Sequence, residues 1–353
     1  MIELLVKEWL VVLSALGVLF SSLYLQALPS FSLQEFQVLL LLSALFIVVK
    51  GLQNSGFIIK LAQMLERGSM IPLKLILTTF FLSMLVTNDI SLVVIVPLTL
   101  ALNITRKDML IILEVISANA GSALTPVGNP QNLFIYWYYG IDVGSFLEVI
   151  APFSLLFLAL LIVSASLLKT EIKSIEVKPF SFDKKAYIYL FFLFIVLMVV
   201  IHILPIQTVL LLLLFLLFFD RKSFKIDYSI LIVFVLFFAI ANNLKLILAS
   251  DLGEFSHLFL VASLSSQVMS NVPVTLLLAK FTSDWQTLLW GVNVGGFGAL
   301  FASFSNVIAY RLYIVHEKNI NKVRFTFKFL FYNYIALFIG MSFYYIYYNK
   351  LLF

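Results

Sequence analysis

Two short polar motifs interrupt otherwise apolar stretches of this chain. One is Thr87-Asn88-Asp89, and the other is Ser270-Asn271-Val272. Their hydroxyl and carboxamide groups offer both hydrogen-bond donors and acceptors. Because an apolar arm precedes and follows each motif, we expect the motifs to form the tips of two helical hairpins, at about residues 71–102 and 256–283.

Asp89 is the acidic residue in the core of the first expected hairpin. A carboxylate near the middle of a membrane costs about 2.5–3.5 kcal/mol on insertion scales unless it is paired, solvated or protonated. Asp89 could therefore bind a coupling cation or a proton. Alternatively, it could cap the amino terminus of the second arm of the hairpin, which is a common structural role for aspartate.

A third polar motif is Thr125-Pro126-Val127-Gly128-Asn129-Pro130-Gln131-Asn132, inside an apolar segment from about 109 to 139. Two prolines and a glycine remove or weaken helical hydrogen bonds, so we expect the helix to be interrupted there. Freed carbonyls can coordinate a cation, and the N–H groups of the next half-helix can bind an anion. The alternative is a kinked helix that packs closely and binds nothing.

The same pattern recurs in the second half of the chain. Ala118-Asn119-Ala120-Gly121-Ser122 aligns with Val292-Asn293-Val294-Gly295-Gly296, and Asn132 and Asn306 each follow the first asparagine by thirteen residues. The alignment predicts a second interrupted helix over Gly298–Asn306, although that stretch contains no proline.

The bulk composition identifies a membrane protein. Hydrophobic residues make up 62% of the 353 residues and charged residues only 12%, far outside the range of soluble domains. Several apolar runs can each cross a hydrocarbon core of roughly 30 Å. The first run is too long for a signal-peptide core, so we expect it to remain as a membrane helix. The sequence has no cysteine and shows no nucleophile or metal cluster, so we expect neither an enzyme nor a cofactor.

The basic residues predict the topology. If both hairpins return to the side that they enter and the N-terminus is cytoplasmic, about nine crossings remain, and 20 of the 23 lysines and arginines lie on the cytoplasmic side. The loops around Pro29, Asp142, Pro205 and Asp251 contain none. We therefore predict a multi-pass protein of the inner (plasma) membrane with an external C-terminus. Because the basic residues are spread over several loops, we expect no nucleic-acid partner.

These observations combine into one predicted architecture. The chain is an all-α polytopic membrane protein, a single transporter domain over residues 1–353. A first repeat covers 9–168, an extra crossing helix covers 186–204, and a second repeat covers 205–349. An odd number of crossings precedes the second copy, so the two repeats are inverted, as in many secondary transporters with broken helices at mid-membrane.

Three further polar residues have simpler expected roles. Lys280 lies near the outer end of its apolar segment, where snorkelling explains a lysine. His202 is expected at the membrane interface. Glu114, in the first arm of the interrupted helix, could carry a proton or form a salt bridge.

At these motifs the chain resembles the ion transporter superfamily, which includes divalent anion:sodium symporters, citrate carriers, arsenite permeases and a branch of sodium/proton antiporters. Members have two inverted repeats, each with a hairpin that bears a Ser-Asn-Thr-like tip and an interrupted helix. Thr87-Asn88-Asp89 and Ser270-Asn271-Val272 look like the tips, and Thr125–Asn132 and Ala299–Asn306 look like the unwound stretches.

The resemblance also implies roles for individual residues. The positions expected to hold coupling Na⁺ or H⁺ are Asn88, Asp89, Gly128, Ser270, Asn271 and Ala302. The positions expected to bind the solute are Thr87, Asn88, Asp89, Thr125, Asn129, Pro130, Asn132, Ser270, Asn271, Val272, Ser303 and Asn306.

The chain departs from the dicarboxylate pattern at the third tip positions, where Asp89 and Val272 replace threonine. A carboxylate facing a dianion would repel it unless protonated or paired. The Asn-Asp pair looks more like the arsenite permeases.

These features predict a secondary active transporter that moves a small anionic solute, an inorganic oxyanion or a carboxylate, coupled to Na⁺ or H⁺. The alternatives are a Na⁺/H⁺ antiporter with Asp89 as the ion carrier, an arsenite-type efflux permease, and an uncoupled channel. The expected partners are the lipid bilayer and the solute. The resemblance also implies that two copies of the chain form a homodimer.

Overall fold

The computed structural model describes residues 9–60, 70–102, 104–168, 183–247, 257–317 and 320–348, and throughout these ranges the regular elements are helices. The helices of the first half are α1 Trp9–Leu25, α2 Leu33–Asn54, α3 Ile71–Val86, α4 Asn88–Ala101, α5 Lys107–Ala123, α6 Pro130–Tyr138 and α7 Val143–Leu167. Those that follow are α8 Lys185–Val200, α9 Gln207–Phe219, α10 Ser229–Ile247, α11 Leu258–Met269, α12 Asn271–Leu278, α13 Trp285–Val294, α14 Phe304–His316 and α15 Lys322–Phe343.

The helices have the length and surface of a polytopic membrane protein. Four are long and apolar enough to cross a membrane, namely α2, α7, α10, and α15 with the π-helical turn that continues it to Tyr347. Other apolar helices have 10–17 residues. Large apolar side chains such as Phe20, Phe218 and Val268 are exposed on the outside of the bundle, as a lipid-facing surface requires. The chain is therefore an all-helical, multi-pass membrane protein.

The number of crossings and the orientation of the termini remain predictions. Several charges that support the orientation lie outside the described residues, namely Lys7, Arg67, Lys169, Lys173, Lys178, Asp251 and Lys318.

Each hairpin turns at a single residue. Thr87 joins α3 to α4 with φ 77° and ψ 152°, and Ser270 joins α11 to α12 with φ 74° and ψ 151°. A positive φ is uncommon for a residue other than glycine. The same unusual backbone conformation therefore occurs at the tips that the sequence alignment makes equivalent. Whether the two hairpins are re-entrant remains a prediction.

The helices form two groups, which we call the framework and the hairpin core. The framework consists of α1, α2 and α8–α10, with α1 along α10 and α2 against α8 and α9. The hairpin core consists of α3–α7 and α11–α15, and in it α3 packs on α5 and α11 packs on α13. The two groups meet chiefly where α2 contacts α6 and where α10 contacts α12.

Within the hairpin core, the two halves exchange contacts. The second arm of the first hairpin, α4, packs on α14, while the second arm of the other hairpin, α12, packs on α6. Such reciprocal contacts are what a two-fold relation between similar units produces. Each hairpin is thus positioned by the interrupted helix of the other half.

In the first half, α3 and α5 approach each other closely. Ser117 donates a hydrogen bond to the carbonyl of Ile76 at 2.7 Å, and a Cβ added at Gly121 would lie 2.3 Å from the carbonyl oxygen of Phe80. Small residues permit such contact between membrane helices. Gly121 therefore sets the distance between the first hairpin and the interrupted helix.

We expect Gly121→Ala to lower the free energy of unfolding by about 1–3 kcal/mol, since the added methyl group forces the two backbones apart. Thermal unfolding of the purified protein in detergent measures the change. Gly17→Ala is the matched control, because there the nearest atom is the flexible Cδ1 of Ile240, at 3.0 Å. Equal stability of the two variants would contradict the proposed close contact.

Candidate functional site

Both predicted interruptions are present in the hairpin core. The first break covers residues 124–129, between α5 and α6, and the second covers 295–303, between α13 and α14. The second break begins four residues before the predicted Ala299. Its cause is glycine rather than proline, because Gly298 has φ 96° and Gly295 and Gly296 precede it. Asn132 and Asn306 lie in the helices that follow the breaks.

Four asparagines join the two breaks through two reciprocal hydrogen bonds. Asn119 Nδ2 donates to Asn306 Oδ1 at 2.9 Å, and Asn293 Nδ2 donates to Asn132 Oδ1 at 2.8 Å. The sequence alignment pairs Asn119 with Asn293 and Asn132 with Asn306, so these are the same bond made twice. All four side chains are buried.

Asn132 and Asn306 also bind backbone carbonyls in the breaks and at the end of the helix before the first break. Asn132 Nδ2 donates to the carbonyls of Ser122, Ala123 and Thr125 at 3.4, 3.0 and 3.3 Å. Asn306 Nδ2 donates to the carbonyls of Gly296 and Ala299 at 3.1 and 3.0 Å. In this conformation, the amide groups of Asn132 and Asn306 are occupied by protein partners, so their direct contact with a solute remains a prediction.

The tip of the first hairpin is attached to the first break. The backbone N–H of Asn88 donates to the carbonyl of Gly128 at 3.0 Å, and its Nδ2 donates to Asn119 Oδ1 at 3.2 Å. A Cβ at Gly128 would lie 2.1 Å from the carbonyl oxygen of Ser122, so a larger residue does not fit. The Gly128 carbonyl thus lies beside the tip, where it could also coordinate a cation.

Asn129 connects the first break to the other half. It caps α6, since its Oδ1 accepts from the N–H of Asn132 at 2.9 Å. Its Nδ2 lies 3.3 Å from Ser122 Oγ and 3.3 Å from Asn293 Oδ1. Asn129 therefore touches the first break, α5 and α13 at once.

The tip of the second hairpin makes looser contacts. Ser270 Oγ lies 3.4 Å from the carbonyl oxygen of Ala302 and 3.5 Å from Asn271 Oδ1. Asn271 and Val272 are buried beside it at the start of α12. The tip serine and the Ala302 carbonyl, both predicted to hold a cation, are therefore adjacent.

Asp89 is bonded to the opposite half. Its Oδ1 accepts a hydrogen bond from Ser305 Oγ at 2.7 Å, and Ser303 Oγ lies 3.2 Å from Ser305 Oγ. A chain of two hydroxyls, one at the end of the second break and one in the first turn of α14, thus ends at the carboxylate of the first tip. Among the described residues, this contact rather than a cap of α4 is the side-chain interaction of Asp89.

The remaining predicted residues lie around this cluster. Thr125 is attached to the first hairpin, because its Oγ1 donates to the carbonyl of Met84 at 2.6 Å. Thr87, Pro130 and Val272 are buried at the tips and at the start of α6, and the structure gives their side chains no hydrogen bond to the cluster. Of the predicted site, only Asp89 and Thr125 have partly exposed side chains, so the cluster is closed to solutes in this conformation.

Sequence reasoning missed four members of the cluster: Asn119, Asn293, Ser305 and Gln267. The repeat alignment names Asn119 and Asn293 without a binding role, although an asparagine inside an apolar helix itself indicates a polar contact. Gln267, on α11, accepts from the N–H of Ala299 at 2.8 Å and donates to the carbonyl of Gly295 at 2.9 Å. Gln267 thus attaches the second break to its hairpin. The alignment pairs Gln267 with Met84 and Ala299 with Thr125, so this contact corresponds to the Thr125–Met84 bond of the first half.

Glu114, on α5, is a buried acidic residue outside the polar cluster. Its Oε1 accepts a hydrogen bond from Thr99 Oγ1 of α4 at 2.5 Å, while its Oε2 has no hydrogen-bond partner among the described residues. The salt bridge that was one of its predicted roles is not among the ion pairs of the described residues. Glu114 thus joins the first hairpin to α5.

The arrangement has the chemistry of a binding site. Carboxamides, hydroxyls and backbone carbonyls outside regular helix meet at one place. The charged group that the described hydrogen bonds place among them is the carboxylate of Asp89. The described residues contain no group of three or more His, Cys, Asp or Glu side chains that could hold a resident metal ion.

We expect Asn119→Ala and Asn293→Ala each to lower the free energy of unfolding by about 1–3 kcal/mol, because each leaves a buried carboxamide of the other half without its partner. The two effects should be similar, since Asn119 also accepts from Asn88 at 3.2 Å and Asn293 also accepts from Asn129 at 3.3 Å. Thermal unfolding in detergent provides the measurement.

Asn333→Ala is the control for both variants, because Asn333 is equally buried but its described hydrogen bond stays within its own helix, to Phe329. If all three variants were equally stable, the reciprocal pairs would have no role in joining the two halves.

Comparison with known proteins identifies the family. Residues 2–295 match the family CitMHS, described as citrate transporter. An uncharacterized transporter of Methanocaldococcus jannaschii is 35% identical over 294 residues, which are 80% of this chain and 82% of the relative. The inner membrane protein YbiR of Escherichia coli is 32% identical over 300 residues, which are 79% and 80% of the two chains.

A silicon efflux transporter of rice, Oryza sativa subsp. japonica, is 36% identical over a shorter stretch of 126 residues, which are 33% of this chain and 26% of the relative. The family match covers most of the chain, and the two longer relatives align over most of their own length. The chain therefore belongs to the citrate transporter family and is a membrane transport protein rather than an enzyme.

Proposed function

We propose that this chain is a secondary active transporter that moves a small oxygen-rich solute across the cell membrane, coupled to Na⁺ or H⁺. The observation that carries the proposal is the meeting of two hairpin tips and two helix breaks in one buried polar cluster, joined by the Asn119–Asn306 and Asn293–Asn132 bonds. Broken helices at the interface of inverted repeats form the solute and ion sites of many secondary transporters.

The proposed ion sites lie beside the tips. At the first, the carbonyl of Gly128 and the side chain of Asn88 are adjacent, and at the second the carbonyl of Ala302 and the hydroxyl of Ser270 are adjacent. Oxygen ligands of this kind suit a hard monovalent cation. The nearly identical backbone angles of Thr87 and Ser270 support two related sites.

The charge of the cluster bears on the identity of the solute. Asp89 points across to Ser305, and the hydrogen bonds of the cluster come from carboxamides, hydroxyls and backbone groups rather than from lysine or arginine. A dianion would meet the carboxylate of Asp89, which has no ion pair with a lysine or arginine among the described residues, and this opposes binding unless coupling ions neutralise the charge. A neutral oxyacid instead donates its hydroxyl hydrogens to Asp89 and to carboxamide oxygens.

We therefore favour a neutral or singly charged oxyacid, such as arsenous or silicic acid, over citrate. The silicon efflux transporter among the relatives supports this choice, although its alignment covers a third of this chain. The alternative is a Na⁺/H⁺ antiporter with Asp89 as the ion carrier. The observation that favours it is the position of the Asp89 carboxylate between the two halves.

Transport by this chain requires the closed cluster to open. We propose that the hairpin core moves against the framework, with repeats 9–168 and 205–349 inverted, the N-terminus cytoplasmic and the C-terminus external. The near-complete burial of the cluster supports the view that this conformation is closed. The hairpin core must then move away from the framework before a solute can enter. The homodimer remains a prediction from the family resemblance.

The testing experiment is uptake and efflux in proteoliposomes, with arsenite, silicic acid, phosphate, sulfate, succinate and citrate under an imposed Na⁺ or pH gradient. Gradient-driven movement of one solute supports the proposal and identifies the coupling ion. Exchange of Na⁺ for H⁺ without solute movement favours the antiporter. Ion current with no coupling would show that the protein is a channel.

We expect Asn88→Ala and Asn271→Ala each to reduce transport at least about tenfold, which corresponds to about 1.4 kcal/mol, because each removes a tip carboxamide. Both proteins should still insert in the membrane and remain folded, as size-exclusion chromatography in detergent will test. Asn333→Ala again serves as the control. Wild-type transport by both tip variants would contradict the proposed site.

Asp89→Asn should change selectivity rather than abolish transport. The amide keeps an oxygen that accepts from Ser305 but removes the negative charge. We expect the ratio of sulfate to arsenite transport to rise at least about tenfold, equivalent to about 1.4 kcal/mol. Complete loss of Na⁺/H⁺ exchange, with no effect on any solute, would instead assign Asp89 to an antiporter.

A further inference from the structure

A buried ion pair connects the framework to the hairpin core. Lys280 Nζ, two residues after the end of α12, lies 2.6 Å from Glu35 Oε1 in the first turn of α2. The side chains of Lys280 and Glu35 are only 7% and 0% exposed. Lys280 therefore does not snorkel to the surface as the sequence suggested. The reason is that Glu35, 245 residues away, provides a buried partner.

Glu35 is held firmly by the framework. Its Oε2 accepts from the N–H of Ser32 at 2.6 Å in a capping box at the start of α2. Its Oε1 accepts from Asn242 Nδ2 of α10 at 3.1 Å, and the same Nδ2 donates to the carbonyl of Ser30 at 2.7 Å. The carboxylate is thus fixed by two framework helices before it meets Lys280.

Lys280 is held by the hairpin core. Its ammonium lies 4.9 Å from the ring centroid of Tyr138 on α6, within the range of a cation–π contact. Tyr139 OH, on the same segment, donates to the carbonyls of Ala279 and Thr282 at 3.1 and 3.0 Å and so ties the end of α6 to the segment around Lys280. Each partner of the ion pair is therefore fixed to its own group of helices.

Other polar contacts lie at the same end of the boundary. Trp137 Nε1 of α6 donates to Gln37 Oε1 of α2 at 3.1 Å. The ring of His202, which follows α8, lies 4.5 Å from that of Trp137 and 5.8 Å from that of Tyr136. His202 thus packs on α6 rather than facing only the membrane interface. Further along the boundary, the ring of Phe134 on α6 packs against that of Phe238 on α10.

The ion pair is unusual among those of the described residues. Lys107–Glu317 and Lys328–Asp108 lie within the hairpin core and Lys185–Asp220 lies within the framework, whereas Glu35–Lys280 joins the two groups. A buried ion pair adds little net stability compared with apolar packing, but it is directional and strongly opposes separation of its partners. It can therefore define one relative position of the two groups, together with the Trp137–Gln37 hydrogen bond at the same end of the boundary.

We propose that Glu35 and Lys280 form a latch that holds the hairpin core in the closed position seen here and that opens in each transport cycle. The proposal rests on the proposed function, because it assumes that the two groups move relative to each other. The latch lies outside the polar cluster and takes no part in solute binding. It sets how much of the protein population is closed.

The test uses the absence of cysteine from the sequence. Phe238 of α10 is fully buried, and its ring lies 5.5 Å from that of Phe134 of α6, across the boundary. A single cysteine introduced as Phe238→Cys should react slowly with a small methanethiosulfonate reagent while the groups are closed, and faster when they separate. The labelling rate is measured in proteoliposomes without any solute.

Glu35→Gln and Lys280→Met, each in the Phe238→Cys background, should raise the labelling rate at least about tenfold, because each removes the charge attraction that keeps the groups together. The double variant should be no faster than the single variants, since both remove the same interaction. Lys280→Arg keeps the charge and should label slowly. The control Glu317→Gln removes an ion pair within the hairpin core and should leave the rate unchanged.

Thermal unfolding of every variant separates opening from global unfolding. Fast labelling at a temperature well below the melting temperature of each variant, with non-additive single variants and slow labelling in Lys280→Arg, supports the latch. Unchanged rates in Glu35→Gln and Lys280→Met, or an equal increase in Glu317→Gln, would overturn it. Because labelling needs no solute, the labelling rates decide the latch even if none of the tested solutes is transported, and that second result would count against the proposed function alone.

Discussion

The hairpin core depends on one hydrogen-bond arrangement that is made twice. In it, the asparagine on the helix before each break binds the asparagine on the helix after the break of the other half. A broken helix inside a membrane leaves backbone carbonyls without partners, and lipid cannot satisfy them. Asn132 and Asn306 meet that need by donating to the carbonyls of their own breaks, while their oxygens accept from Asn293 and Asn119. The same side chains therefore make the breaks tolerable and join the halves.

This arrangement also explains why the hairpin tips lie where they do. Asn88 reaches both the carbonyl of Gly128 and the side chain of Asn119, so the first tip is placed by the break and by the reciprocal pair together. In the second half, Gln267 attaches the hairpin arm to the break with two hydrogen bonds. The site is thus built on a structural necessity, since the groups that satisfy the broken backbone are the groups that surround the candidate binding place.

Much of this organisation could be predicted from the sequence, because local chemistry determines it. Proline and glycine within an apolar segment indicated the first break, and repeated spacing indicated the second. The start of the second break could not be placed, since glycines permit an interruption without fixing its position. Contacts over long sequence separations were also out of reach. Nothing near Lys280 indicates Glu35, and nothing near Asp89 indicates Ser305, because these pairs exist only once the helices have packed.

The closed cluster has a consequence for the strength of binding. Its polar groups already bond to one another, so in the proposed transport cycle a solute that binds there must exchange protein–protein hydrogen bonds for protein–solute bonds. Such an exchange releases little net free energy, because the bonds lost resemble the bonds gained. Weak net binding suits a transporter, because it must release the solute on one side of the membrane as readily as it binds the solute on the other. A site with unsatisfied groups waiting for the solute would hold it too long.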